Sequence, residues 1–350
     1  MILPQTYGVA VFLMILSMLC WGSWANLYKV AGKWRFELFY FDYAIGLLAV
    51  SVALALTLGS SGYDGFSFVD DMMHAGKQQW LFAFLGGVVF NLGNMLLMAS
   101  IAVSGMAVAF PVGIGLALFI GVILNYIDKP AANPILLFSG CLLILVAVSL
   151  AAYANNLRGQ QRHEALARAG KVRSTRRPTT LMGVIIAAVS GLVMGSFLPL
   201  LQKAKEGDNG LGPYSVAVLF ALGVFLSTFV YNLFFMNLPV DGEPLELRDI
   251  LKSRPTQHLW GILAGVIWGV GGMALFVVAS APSEAQGALW LTYAVPSAAA
   301  LLSALWGVLA WREFPDTDAR LKAMLALMLV LFACGLAMIS LAGKAAVPGL

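Results

Sequence analysis

Two carboxamides, Asn91 and Asn94, interrupt a stretch that carries no charge from residue 80 to 102. Polar groups in the middle of so apolar a run are costly unless partnered, so they mark a binding site or a helix–helix contact. Three residues apart, they share one side of a helix. Each amide offers two donors and an acceptor, which suits hydroxyls, ureas or purine edges. Solute binding and interhelical hydrogen bonding both fit these residues. Trp24, Trp268 and Tyr293 also sit inside apolar runs, the last two too deep for an interfacial belt. Their faces could stack on sugars or planar heterocycles, or simply pack the core. Ser297 follows Pro296, whose ring frees a backbone carbonyl. These six are the candidate substrate residues. A proton carrier would be an intramembrane Asp, Glu or His. None lies at mid-depth, which leaves Glu284 and Asp42 at helix ends as proton-coupling candidates and facilitated diffusion as an alternative. Asp42 could instead pair with Lys29, Lys33 or Arg35. His74, His163 and His258 are in or beside loops, so no catalytic cluster forms and no enzyme is expected.

Composition decides which elements hold these side chains. Of 350 residues, 60% are hydrophobic and 11% charged, against about 45–50% and 25% in ordinary soluble domains. So few polar residues exclude a cytosolic enzyme, a disordered chain and a secreted disulfide scaffold. A net charge of +4 is too mild for a nucleic-acid binder. Cys20, Cys141 and Cys334 lie in apolar runs without metal-ligand spacing, which predicts buried free thiols, no metal and no cofactor. A hydrocarbon core roughly 30 Å thick takes about 20 apolar residues per helix. Such stretches recur at 7–28, 42–60, 80–102, 105–127, 134–154, 181–202, 213–236, 259–280, 286–310 and 322–343. The expectation is an all-α integral membrane protein with ten transmembrane helices. The first stretch lacks a basic leader and a cleavage site and reads as a retained span.

Basic residues set the orientation. With the N-terminus outside, 16 of the 21 Lys and Arg fall in cytoplasmic loops, seven of them between Arg158 and Arg177. Lys77, Lys129, Lys203, Lys205 and Lys344 fall on the other side. Both termini are therefore expected outside an inner or plasma membrane, with the central basic loop cytoplasmic. That loop is no P-loop: Val172 follows Gly170-Lys171, and Ala165 stands where the first glycine belongs.

The halves resemble each other. Gly87-Val88-Val89-Phe90-Asn91-Leu92-Gly93-Asn94-Met95 aligns without gaps on Gly265-Val266-Ile267-Trp268-Gly269-Val270-Gly271-Gly272-Met273, 178 residues later. Gly22-Ser23-Trp24 precedes Gly195-Ser196-Phe197 by 173. Five helices per half is an odd number, so a second copy inserts upside down. Two inverted five-helix repeats are expected, 1–155 and 180–350, joined by the basic loop 156–179. Inverted repeats are typical of secondary transporters with a midplane site. Gly261, Gly265 and Gly269 form small-residue steps for close helix packing, as do Gly191 and Gly195.

Several stretches resemble the ureide permease family and its neighbours in the drug/metabolite transporter superfamily, the glucose/ribose porters and L-rhamnose–proton symporters. They are Cys20-Trp21-Gly22-Ser23-Trp24, Phe41-Asp42-Tyr43, Thr57-Leu58-Gly59, Leu92-Gly93-Asn94 and Leu124-Asn125-Tyr126. The chain departs at Ala25-Asn26, where plant ureide permeases usually carry proline, at Ser60 in place of Glu, and in lacking their Walker-type loop. The resemblance implies uptake of a small polar solute, a sugar or a ureide or nucleobase, with protons as co-substrate. The expected function is secondary active transport of a small uncharged polar metabolite by alternating access. Multidrug or metabolite export and facilitative uniport are the alternatives.

Overall fold

The computed structural model describes residues 1–32, 34–62, 64–128, 132–168, 180–240, 242–282, 285, 294–314 and 318–342. Among them every regular element is helical. Nine helices among the described residues are long and apolar enough to cross a bilayer. They are α1 (Tyr7–Val30), α2 (Phe36–Thr57), α3 (Lys77–Ser104), α4 (Met106–Asp128), α5 (Pro134–Arg168), α6 (Leu181–Lys205), α7 (Pro213–Asn237), α8 (Pro255–Val278) and α10 (Ala319–Ala342). Between α8 and α10, α9 (Ala294–Ala310) is a shorter apolar helix whose last turn, Trp306–Ala310, is π-helical. The predicted ninth stretch starts at 286, so its first residues lie outside those described. Large apolar side chains face outward along the helices, Phe12, Leu142 and Val230 each more than 60% exposed. Water would not tolerate such a surface and lipid does, so this is a multi-pass membrane protein.

The helices pair in a regular way. α2 packs on α8 and α3 on α7; α1 packs on α8 and α9, while α6 packs on α3 and α4; α5 packs on α10. Exchanging helices 1–5 for 6–10 maps these pairs onto one another. Glycines make the closest contacts. A Cβ at Gly87 would meet the Phe220 carbonyl, and one at Gly265 the Tyr43 carbonyl. A Cβ at Gly223 would meet the Phe84 carbonyl, and one at Gly46 the Ile262 carbonyl. With little hydrophobic drive between helices in lipid, such backbone approach is what holds them.

Three expectations need correction. α2 begins at Phe36 rather than 42, because Arg35 neutralises Glu37 in the first turn (Nη2–Oε1 2.6 Å, Nε–Oε2 3.1 Å). Asp42 therefore lies inside the helix. Among the described residues its partner is His258 of α8, with Oδ2 2.7 Å from Nδ1. Lys29 pairs with Glu313 and Arg35 with Glu37, and Lys33 lies outside the described residues. The cysteines are not all buried: Cys141 is, Cys20 is half-buried and Cys334 faces outward.

Candidate functional site

A cavity of about 400 Å³ opens between α1, α3, α4, α6, α8 and α9. It runs from Trp24, Asn94 and Phe110 to Lys205 at the end of α6 and Ala279 beyond α8. Lys205 Nζ donates to the Ala279 carbonyl at 3.0 Å there. The walls are mainly aromatic. Trp268 stacks on Trp21 (centroids 5.3 Å, 21° between planes) and touches Phe90 at 4.7 Å. Trp24 leans on Tyr43 at 5.0 Å and on Phe110 at 6.4 Å. Trp21 Nε1 donates to the Trp268 carbonyl at 3.2 Å, which fixes the stacked pair.

Behind the wall, Asn94 belongs to a chain of buried hydrogen bonds. Ser227 and Thr228 of α7 donate to carbonyls one turn back, Gly223 at 2.6 Å and Val224 at 2.8 Å. Their oxygens are then left as acceptors. Asn91 Nδ2 donates to the Val224 carbonyl, Ser227 Oγ and Thr228 Oγ1 at 3.0, 2.8 and 3.1 Å. Its Oδ1 accepts from the Tyr40 hydroxyl at 2.9 Å. Asn94 Nδ2 donates to the Tyr40 and Tyr43 oxygens at 2.9 and 3.1 Å. Asn94 Oδ1 is buried and accepts from nothing. A buried acceptor left empty costs about 1–3 kcal/mol. Other orphans exist at Ser17, Ser215, Asn232 and Ser280. None of those residues lines the cavity, and Asn94 does.

At the opposite end of α1 the helices are tied together. Glu313 accepts from the backbone N–H of Met106 and Ala107, each at 2.8 Å, at the N-terminus of α4. Lys29 Nζ sits 3.0 Å from its Oε1. A carboxylate on a helix N-terminus is electrostatically favoured. Trp311 Nε1 donates to Asn26 Oδ1 at 2.6 Å and Ser303 to the Gly22 carbonyl at 2.7 Å. Three cavity-lining helices, α1, α4 and α9, meet in this cluster.

Of the candidate substrate residues, Trp24, Asn94, Trp268 and Ser297 line the cavity. Asn91 is fully buried behind Asn94 in the hydrogen-bond chain. Tyr293 and Glu284 lie outside the described residues. Asp42 sits with His258 between α2 and α8, away from the cavity lining. Sequence reasoning missed Tyr40 and Tyr43 as site residues. Their signal is faint: two hydroxyls one helical turn apart in an otherwise apolar span.

The Ureide permease family profile matches residues 39–178 and 165–342. Ureide permease 1 of Arabidopsis thaliana is 24% identical over 389 aligned positions, covering 97% of this chain and 98% of that protein. Ureide permease 2 of the same plant is 25% identical with the same coverage. Probable ureide permease A3 of Vigna unguiculata is 23% identical, over 89% of this chain and 97% of its own. A solved crystal structure, 18% identical, matches with a TM-score of 0.57 over 97% of this chain and 99% of that one; this likeness concerns the fold.

Proposed function

The chain belongs to the ureide permease family, and on that basis we propose that it is a secondary transporter moving a ureide or a similar small uncharged polar solute by alternating access. A ureide carries urea N–H donors beside carbonyl acceptors on a small, often planar frame. The cavity supports such a solute: aromatic faces at Trp24 and Trp268 for stacking, and an empty acceptor at Asn94. The observation that carries the proposal is this unpartnered buried acceptor on a lining residue of an aromatic cavity of solute size. Pockets for small ligands share that mix of apolar walls and a few placed polar groups. The described lining includes Lys205 and Glu206 only near one end, which favours an uncharged cargo. Trp24, Asn94, Trp268 and Ser297 form the proposed binding set, with Tyr293 kept as a member and Asn91 acting behind them.

The repeat supports the alternating part. Gly46 and Gly223 are 177 residues apart, and Gly87 and Gly265 are 178 apart. The contacts Gly46–Ile262 and Gly265–Tyr43 thus recur, at those offsets, as Gly223–Phe84 and Gly87–Phe220. Gly93 against Met194 likewise corresponds to Gly271 against Trp21. Two five-helix halves, 1–155 and 180–350, joined by the loop 156–179, account for this correspondence. Near-equivalent halves can exchange roles and so open the site to either side in turn. By the distribution of basic residues, the Lys205 end is outside and the Lys29–Glu313 end cytoplasmic, with both termini outside a plasma or inner membrane. The arrangement then corresponds to an outward-reaching state closed inside by the Glu313 cluster.

Proton coupling is part of the proposal, with Asp42 and its partner His258 as the proton site and Glu284 as the second candidate. Uptake of labelled ureides into proteoliposomes, with sugars and nucleobases in parallel and with and without a pH gradient, tests both cargo and coupling. Saturable uptake of a ureide supports the proposal, and none of any compound overturns it. Uptake indifferent to the gradient indicates facilitative uniport.

A further inference from the structure

We infer that Tyr40 and Asn91 are positioning residues that fix the polarity of Asn94, so that the cavity selects solutes by a hydrogen-bond donor and not by an acceptor. The inference rests on the transport function proposed above. It begins at an atom that can only accept. The Val224 carbonyl faces Asn91, so Asn91 must turn its NH2 to α7. Ser227 and Thr228 enforce the same choice, because their protons are committed to their own helix. Asn91 Oδ1 is thereby turned to Tyr40, whose hydroxyl must donate to it. The Tyr40 oxygen keeps only acceptor capacity, so Asn94 must present its NH2 there. The amide oxygen is left buried and without a donor, on a residue that lines the cavity. Three hydrogen bonds carry one polarity from a backbone carbonyl to Asn94.

The second half has no counterpart of this chain. At the offsets of 177 and 178, Tyr40, Tyr43, Asn91 and Asn94 correspond to Ala217, Phe220, Gly269 and Gly272. The second half makes the matching glycine contacts without any of the four polar groups. Behind Asn94 the cavity is therefore backed by a polar, directional chain, whereas the equivalent place in the second half holds Phe220, which stacks on Trp268 (6.0 Å, 8°). A planar solute would lie on the aromatic wall with an N–H edge toward Asn94 Oδ1. An acceptor edge in that place would meet oxygen against oxygen.

The test is a ratio of affinities, read by direct binding to purified protein. The probes are hydantoin, a cyclic ureide with two N–H groups, and its 1-methyl, 3-methyl and 1,3-dimethyl derivatives. Wild type should prefer the N–H form at one ring position over its N-methyl counterpart by roughly tenfold to a hundredfold, the cost of stranding a buried acceptor. Tyr40→Phe frees Asn94 to turn over, since the Tyr43 hydroxyl can donate or accept, and the preference should fall at least fivefold. Tyr43→Phe leaves the Tyr40 link intact and should keep it. A merely structural role would affect the two tyrosines alike, and a purely steric penalty from the methyl would persist in both. Asn94→Leu, which removes the orphan itself, should erase the preference and serves where Tyr40→Phe does not fold. Equal preference in wild type, Tyr40→Phe and Asn94→Leu overturns the inference while leaving transport standing. Binding of hydantoin with no preference in wild type also overturns it. Binding of none of the four compounds overturns the ureide cargo itself.

Discussion

Replacing the interhelical glycines by alanine tests how the two halves are built. An added Cβ would lie 2.8 Å from a carbonyl carbon at Gly46 (Ile262) and at Gly87 (Phe220). The corresponding distances are 2.9 Å at Gly265 (Tyr43) and 3.1 Å at Gly223 (Phe84). Carbon atoms prefer separations of about 3.5–4.0 Å, and the obstacle is backbone, so the helices themselves must part by about 1 Å. A gap of 0.5–1 Å forfeits a quarter to a half of each atom–atom attraction of about 0.1–0.2 kcal/mol. For about 40 such pairs across one helix interface, the loss is about 1–4 kcal/mol. Overpacked cores cost a similar amount, typically 1–3 kcal/mol. In lipid no hydrophobic term offsets this loss. Gly8 has no atom within 4 Å of a built Cβ, so Gly8→Ala should be neutral. Unfolding by SDS titration in mixed micelles reads all five variants. The four interhelical variants should each lose about 1–4 kcal/mol. If Gly265→Ala proves as stable as Gly8→Ala, the close backbone packing is wrong. If one matched pair is sensitive and the other is not, the halves are not equivalent.

Other perturbations have equally definite outcomes. Glu313→Gln removes the charge opposite Lys29 and weakens the cap on α4; Lys29 is about a quarter exposed, so solvent screening trims the full cost of breaking a buried pair. A loss of about 1–3 kcal/mol in the same titration is expected, and no change would remove the cluster from the forces closing that end. Asp42→Asn and His258→Gln should each abolish solute accumulation driven by a pH gradient while leaving solute–solute exchange intact. Retained accumulation in both variants would place the proton elsewhere.

Much of the fold is legible in the residues because lipid allows few choices. Every span must be apolar and satisfy its own backbone, so composition alone marks ten stretches. Asn94 is legible for the same reason, as a carboxamide where one is costly. Its neighbour Asn91 looks identical in sequence, and only the acceptors on α7, more than 130 residues later, give it a different task. Tyr40 and Tyr43 escape notice because a phenol ring reads as apolar until something shows where its hydroxyl goes. Along the chain the cations nearest Asp42 are Lys29, Lys33 and Arg35. The glycine contact of α2 with α8 brings His258 in from 216 residues away instead. Glu313 presents the same difficulty, since a carboxylate in a loop gives no sign that it caps a helix starting 207 residues earlier.

Exchange of labelled hydantoin across proteoliposome membranes probes the cavity most directly. Wild-type protein should give saturable exchange. Asn94→Leu should weaken it by roughly fivefold to a hundredfold, as a cost of about 1–3 kcal/mol at the stranded donor implies. Ala117→Trp, which fills the cavity from α4, should stop it. Exchange that proceeds unchanged in both variants would mean that the solute crosses by some route other than this aromatic chamber.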